Sequence, residues 1–263
     1  MTKRLLLLRF DGTRYHGWQV QPNAVTVQET VQNALEALTG TRPGVTGCSR
    51  TDAGVHAEMF CCTFASDSRL SDAAWLGGLN AHLPRDIATY ACCPVPEEFH
   101  PRYTACGKRY TYRVWNSRIR HPFWTARTAQ ITVPLDAQRL QAAAQNYLGT
   151  HDFAAFCAAG SSVEDTVRTV SRFTVERERE LVSFTVEADG FLYNMVRIMV
   201  GTLLDMAQGR RDFGGIPRIL ASRDRGQAGR TAPAAGLTLE RVFYPAPWDR
   251  LGLNGDDSPG GFI

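Results

Sequence analysis

Gly107-Lys108-Arg109-Tyr110-Thr111-Tyr112-Arg113-Val114-Trp115-Asn116 alternates along its length. Tyr110, Tyr112 and Val114 fall on one side, Arg109, Thr111 and Arg113 on the other, and a period of two marks a half-buried strand. What flanks this strand decides the fold. Downstream, residues 136–148 place Leu140, Ala143, Ala144 and Tyr147 at helical spacing. Residues 166–177 and Leu181–Ala188 read as a hairpin with a charged turn. Residues 191–208 form a long helix with Val196, Met199, Val200, Leu203 and Leu204 inside, residues 216–221 an extra short helix, and residues 237–244 a closing strand.

The same order stands upstream. Residues 3–10 are rich in Leu and read as a buried strand, followed by a polar loop from Asp11 to Asn23. Thr26-Val27-Gln28-Glu29 fits a capping box, in which hydroxyl and carboxylate satisfy orphan N–H groups. Val27, Val31, Ala34, Leu35 and Leu38 then share a helical face, and Gly40 suits the stop. Residues 44–48 and 58–65 are strands, Ser71 caps a helix to about His82, and residues 87–95 are a strand. Twice βαββαβ is the ferredoxin-like plan. The expected class is therefore α+β: two such halves, residues 1–104 and 105–246, forming an extended mixed or antiparallel sheet. Helices are expected on one face, a central cleft between the halves, and a flexible tail over 247–263, where Gly, Pro, Asp and Asn accumulate.

With 263 residues, 44% hydrophobic and 21% charged, the chain can build a real core. The net charge is only +3, but basic residues cluster at Lys108-Arg109, Arg118 with Arg120, Arg210-Arg211 and Arg223 with Arg225. Such patches can bind a polyanion, although each is equally well a solvated surface. The run Leu5–Leu8 is shorter than the roughly 7–15 residues of a signal-peptide core. No stretch approaches the ~20 apolar residues of a membrane span, and a cytoplasmic protein is expected. Seven cysteines without a Cys-x-x-Cys, and scattered histidines, predict neither a disulfide framework nor a metal site.

Chemistry concentrates in Cys48-Ser49-Arg50-Thr51-Asp52-Ala53-Gly54-Val55-His56-Ala57, between two strands. Short polar residues and a Gly permit a tight, exposed turn. Flanked by Arg50 and His56, Asp52 would stay ionised and could serve as nucleophile or base. A plain surface turn in which Asp52 and Arg50 merely pair is the commoner outcome for an arbitrary loop.

Arg50-Thr51-Asp52-Ala53-Gly54-Val55-His56 resembles the signature loop of the tRNA pseudouridine synthase A family. Further resemblances follow in order: Asp11-Gly12 with Tyr15-His16-Gly17-Trp18-Gln19-Val20-Gln21, Asn80-Ala81-His82-Leu83-Pro84, Phe99-His100-Pro101-Arg102-Tyr103, Lys108-Arg109-Tyr110-Thr111-Tyr112, His151-Asp152-Phe153, Phe191-Leu192-Tyr193-Asn194-Met195-Val196-Arg197, and Gly236-Leu237. They cover about residues 3–245. The family breaks the N-glycosidic bond of uridine, turns the base and joins C5 to the ribose, with no cofactor or metal. The resemblance implies that Asp52 is the catalytic carboxylate, whether it attacks base or sugar or removes a sugar proton. It implies that Tyr110 stacks on the target base, that Arg197 pairs with Asp52, and that Arg50 helps open the RNA. Base flipping costs a few kcal/mol, so some side chain should compensate for lost stacking.

For the RNA surface, Tyr15, Trp18 and Gln19 offer stacking and hydrogen bonds, and Lys108 and Arg109 phosphate contacts, with His56 beside the catalytic loop as a further substrate contact. Val20 stands where family members often carry a basic residue, and Ser49 where Gly is frequent. The resemblance also implies a homodimer with tRNA across both subunits, acting on anticodon stem-loop uridines at positions thirty-eight to forty.

Two other readings compete. Ferredoxin-like halves with exposed aromatics also serve as non-catalytic RNA-binding modules. A carboxylate-dependent hydrolase needs a second acidic partner, and none stands out. Nucleophile-elbow, P-loop and dinucleotide-binding patterns are absent.

Overall fold

The computed structural model describes residues 1–160 and 163–251. The first half runs β1 (Thr2–Phe10), α1 (Val27–Thr39), β2 (Thr46–Gly47), β3 (His56–Ser66), α2 (Asp72–His82) and β4 (Ile87–Pro94). The second runs β5 (Gly107–Asn116), β6 (Ala129–Ile131), α3 (Ala137–Ala144), β7 (Gly149–Asp152), β8 (Val167–Glu178), β9 (Leu181–Ala188), α4 (Met195–Ala207), α5 (Ile216–Ser222) and β10 (Leu237–Phe243).

All ten strands join one mixed sheet in the order β4-β1-β3-β10-β5-β9-β8-β7, with β2 pairing β3 and β6 pairing β5. Within each half the order is fourth, first, third, second strand: β4-β1-β3-β2 and β10-β5-β9-β8. That is the arrangement a βαββαβ unit requires. The additions are β6, β7 and α5. The halves meet where β10 pairs parallel to the start of β3, Thr238 opposite His56 and Leu239 opposite Ala57. This seam sets the loop before β3 against the second half.

Local sequence explains the elements. Leu5, Leu6, Leu7 and Leu8 are all buried, so β1 shows no alternation; it lies between β4 and β3 with both faces covered. In β9, Val182, Phe184, Val186 and Ala188 are buried while their neighbours are half-buried. Thr26 caps α1 by accepting from the Glu29 N–H, and Gly40 ends it at φ 73°, a left-handed position that costs Gly little. α1 packs on α2 and α3 on α4, while α2 also covers β4 and α3 covers β8.

Three expectations change. The helix expected over 136–148 stops at Ala144 and tightens into a 3-10 turn, Gln145–Tyr147. The helix expected from residue 191 begins at Met195, because Asn194 takes φ 60°. It is buried on nearly every side, as a central helix must be. The tail expected over 247–263 does not start at 247: Trp248 packs its ring 5.3 Å from Phe99. Residues 252–263 lie outside the described residues. No described helix is long and apolar enough to cross a membrane.

Candidate active site

A cleft of about 440 Å³ opens between the halves. Ser49, Arg50, Thr51, Asp52 and Val55 line it from the loop before β3. Lys108 and Tyr110 line it from β5, Leu237 from β10, and residues 191–196 from the approach to α4. The parallel seam between β3 and β10 carries the Asp52 loop into this position.

Arg197, on the first turn of α4, donates from Nη1 to Asp52 Oδ2 at 3.0 Å. The side chains retain 16% and 22% of their exposure, so the pair is shielded from bulk water. The same nitrogen donates to Asn194 Oδ1 at 2.6 Å, and Arg197 Nε donates to the Ala232 carbonyl at 2.8 Å. Three acceptors therefore fix the guanidinium, which an apolar helix could not otherwise accommodate. Asp52 Oδ1 has no hydrogen-bond donor among the described residues. Burial pushes the Asp52 carboxyl above its ordinary value, and the bond to Arg197 and its charge pull back only part of the way.

Tyr110 is buried, with its hydroxyl 3.2 Å from Ser49 Oγ and its ring edge-on to Phe191 at 5.1 Å. Burial raises its phenol well above the ordinary value, the Ser49 contact opposing and the Asp52 charge reinforcing the rise. It is a protonated, ring-bearing wall of the cleft. Lys108 also lines the cleft, and burial lowers its ammonium below the usual lysine value. Arg50 is exposed at the rim, and Arg102 adds a further cation.

Five expected substrate contacts do not line the cleft. Tyr15 is buried and donates its hydroxyl to Asp86 at 2.8 Å. Trp18 is buried with its ring stacked on Phe60 at 4.1 Å, so neither ring face is open to a base. Apolar ring area in the first loop was claimed by the core. His56 is buried; its Nδ1 accepts from the Gly12 N–H at 3.0 Å and its Nε2 lies 3.2 Å from the Ala235 carbonyl. An accepting Nδ1 carries no proton, so Nε2–H donates to Ala235. Burial lowers the imidazole below its usual value, consistent with a neutral ring despite Asp11 at 3.2 Å. His56 clamps the seam instead of facing the cleft. Arg109 points to the opposite side of β5 from Tyr110 and pairs with Glu187 at 2.8 Å. Gln19 is exposed but outside the cleft lining.

The partner of Asp52 is Arg197 and not the neighbouring Arg50, which plays no part in holding the carboxylate. Among the wider basic clusters, Arg210 pairs with Asp205 and Arg223 with Asp152. Arg211 and Arg225 donate to backbone carbonyls in residues 227–229. Asn194, Ser49 and Phe191 had no assigned role. The one signal for Asn194 was a polar residue at the head of an apolar run. Among the described residues, no group of three or more His, Cys, Asp or Glu could hold a metal ion.

Residues 7–104 and 143–245 match the family model described as tRNA pseudouridine synthase. A tRNA pseudouridine synthase A of Acetivibrio thermocellus is 46% identical over 91% of this chain and 98% of its own length. That of Ruminiclostridium cellulolyticum is 44% identical over 93% of this chain and all of its own length. That of Myxococcus xanthus is 43% identical, covering 93% and 92%. Matched over most of its length by the family model, with Asp52 at the cleft between its halves, the chain belongs to the tRNA pseudouridine synthase family.

Proposed function

We propose that this chain isomerises uridine to pseudouridine in tRNA, with Asp52 as the acting carboxylate and without cofactor or metal. The N1–C1′ bond breaks, the base turns, C5 bonds to C1′, the C5 proton leaves and N1 gains one. The proposal extends to uridines thirty-eight to forty of the anticodon stem-loop and to a homodimeric enzyme, which the resemblance of the ordered motifs implies, and to a cytoplasmic location.

The observation that carries it is the Asp52–Arg197 pair beside Tyr110 in the cleft. Binding RNA alone has no use for a shielded carboxylate, which repels phosphate. A carboxylate held in place by a guanidinium at the wall of a cleft is what a covalent or proton-transfer step requires. Tyr110 supplies ring surface for a flipped base, and Arg50, Arg102 and Lys108 supply positive charge for the backbone.

Tritium release from tRNA carrying 5-tritiated uridine tests the reading, because bonding C5 to C1′ displaces that hydrogen. Wild type releases tritium with no additive, and Asp52→Asn binds tRNA but releases none. A folded, tRNA-binding wild type that releases none would leave the non-catalytic RNA-binding reading in its place.

A further inference from the structure

The segment after α5 does more than connect it to β10. Residues 228–236 run back along α4 and then across to the first half. At one end Thr202 Oγ accepts from the Gly229 N–H at 2.8 Å, and Asp205 Oδ2 accepts from the Arg230 N–H at 3.1 Å. Asp205 is itself buried, and its other oxygen meets Arg210 at 3.1 Å and the Arg230 side chain at 3.3 Å. The approach is as close as backbone allows. A Cβ at Gly201 would collide with the Arg230 carbonyl, and one at Gly229 would lie 2.5 Å from Thr202 Cα.

Past this anchor the same segment meets the site from both sides. Ala232 and Arg197 bond reciprocally: Ala232 N–H to the Arg197 carbonyl at 3.0 Å, and Arg197 Nε to the Ala232 carbonyl at 2.8 Å. The Pro233 carbonyl accepts from Tyr112 at 2.8 Å, and the Ala235 carbonyl from His56. A Cβ at Gly54, two residues after Asp52, would meet Ala234 Cβ at 3.4 Å, so the segment runs close beside the Asp52 loop. One strap thus holds the base of Arg197 and the flank of the Asp52 loop, and its anchor residues Thr202 and Asp205 lie five and eight residues along α4, ~8 and ~12 Å from Arg197.

We propose that Asp205 and Thr202 are positioning residues for the Asp52–Arg197 pair, acting through the 228–236 strap. Neither residue lines the cleft. Their side chains fix where the Ala232 carbonyl sits, and that carbonyl fixes the Nε edge of Arg197. With the strap slack, Arg197 keeps Asp52 but loses one of the three acceptors that hold its plane. The proposal rests on the isomerase reading only for its kinetic readout.

The test uses the full chain with Asp205→Asn, Thr202→Val and Thr202→Ser, assayed well below each variant's melting temperature. Asp205→Asn and Thr202→Val are expected to lower kcat roughly tenfold, the scale of a sub-ångström misplacement, with KM for tRNA unchanged. Thr202→Ser keeps the hydroxyl and should stay near wild type. In an Arg197→Lys background, which has no Nε to meet Ala232, Asp205→Asn should cost nothing more, because residues acting through one contact are not additive. The NMR signal of the Arg197 Nε–H, read independently of activity, should shift in Asp205→Asn and Thr202→Val. Full kcat in both variants, a change in KM alone, an equal loss in the Arg197→Lys background, or an unmoved Nε–H signal would each overturn the proposal.

Discussion

Arg197 Nη1 donates at once to Asp52 Oδ2 at 3.0 Å and to Asn194 Oδ1 at 2.6 Å, joining a loop of the first half to the helix entry of the second. Asn194 reaches this position only in the left-handed backbone conformation, φ 60°, which Asn tolerates better than most residues. The backbone twist that delays α4 therefore also supplies a ligand for its arginine.

Asn194→Gly separates these two contributions. Glycine accepts the positive φ without strain but removes Oδ1. Activity is expected to fall about tenfold for a misoriented guanidinium, with a stability loss of about 1.5 kcal/mol for the deleted charge-assisted hydrogen bond. Asn194→Ala should lose the same activity and, in addition, about 1 kcal/mol of stability from the strained backbone. Tritium-release rates set beside thermal melts distinguish the two.

Arg197→Ala removes one partner of a shielded pair and leaves Asp52 and the Ala232 carbonyl without their donor. The expected cost is about 3 kcal/mol, the scale found when one member of a buried pair is deleted, with activity abolished. The double variant Asp52→Ala, Arg197→Ala should be more stable than Arg197→Ala alone, since no lone charge remains. Denaturant unfolding of the three proteins measures both values.

Tyr110→Phe keeps the ring against Phe191 and deletes the hydroxyl near Ser49. Because burial holds that phenol protonated, its loss should leave KM within about twofold and reduce kcat, at a stability cost of about 1 kcal/mol for one hydrogen bond. Tyr110→Ala should remove base stacking as well and raise KM. A Tyr110→Phe enzyme with full kcat would restrict Tyr110 to a ring contact.

The pH profile follows from Asp52. Burial places its folded-state pKa above the unfolded value, so the ionised form is disfavoured in the native protein. Ionised Asp52 is thus a stability cost present above the folded pKa, and it is relieved as pH falls toward the unfolded value. Activity runs the other way: kcat should decline with falling pH at an acid limb above the ordinary aspartate value, while the fold gains from this group. Initial rates against pH, beside melts in the same buffers, should show the two trends diverging.

The repeated βαββαβ order was legible because it rests on local causes: alternation in β5 and β9, the Thr26 and Ser71 caps, and the Gly40 stop. The loop carrying Asp52 was legible too, as a polar turn between two apolar strands. What the chain could not declare locally is which polar groups its packing would use up. Tyr15 and Trp18 in the polar first loop, and His56 at the head of β3, look like binding residues, yet packing buries each one and gives it an internal partner. Arg109 and Lys108 are neighbours in sequence, but a strand sends them to opposite faces, one to Glu187 and one to the cleft. The pairing of Asp52 with Arg197 was implied by the family resemblance but by no local pattern; it spans 145 residues and forms where β10 inserts parallel to β3. Periodicity and capping act over a few residues and are written in the sequence; the partners of buried charges depend on which distant surfaces meet, and only the tertiary structure decided those.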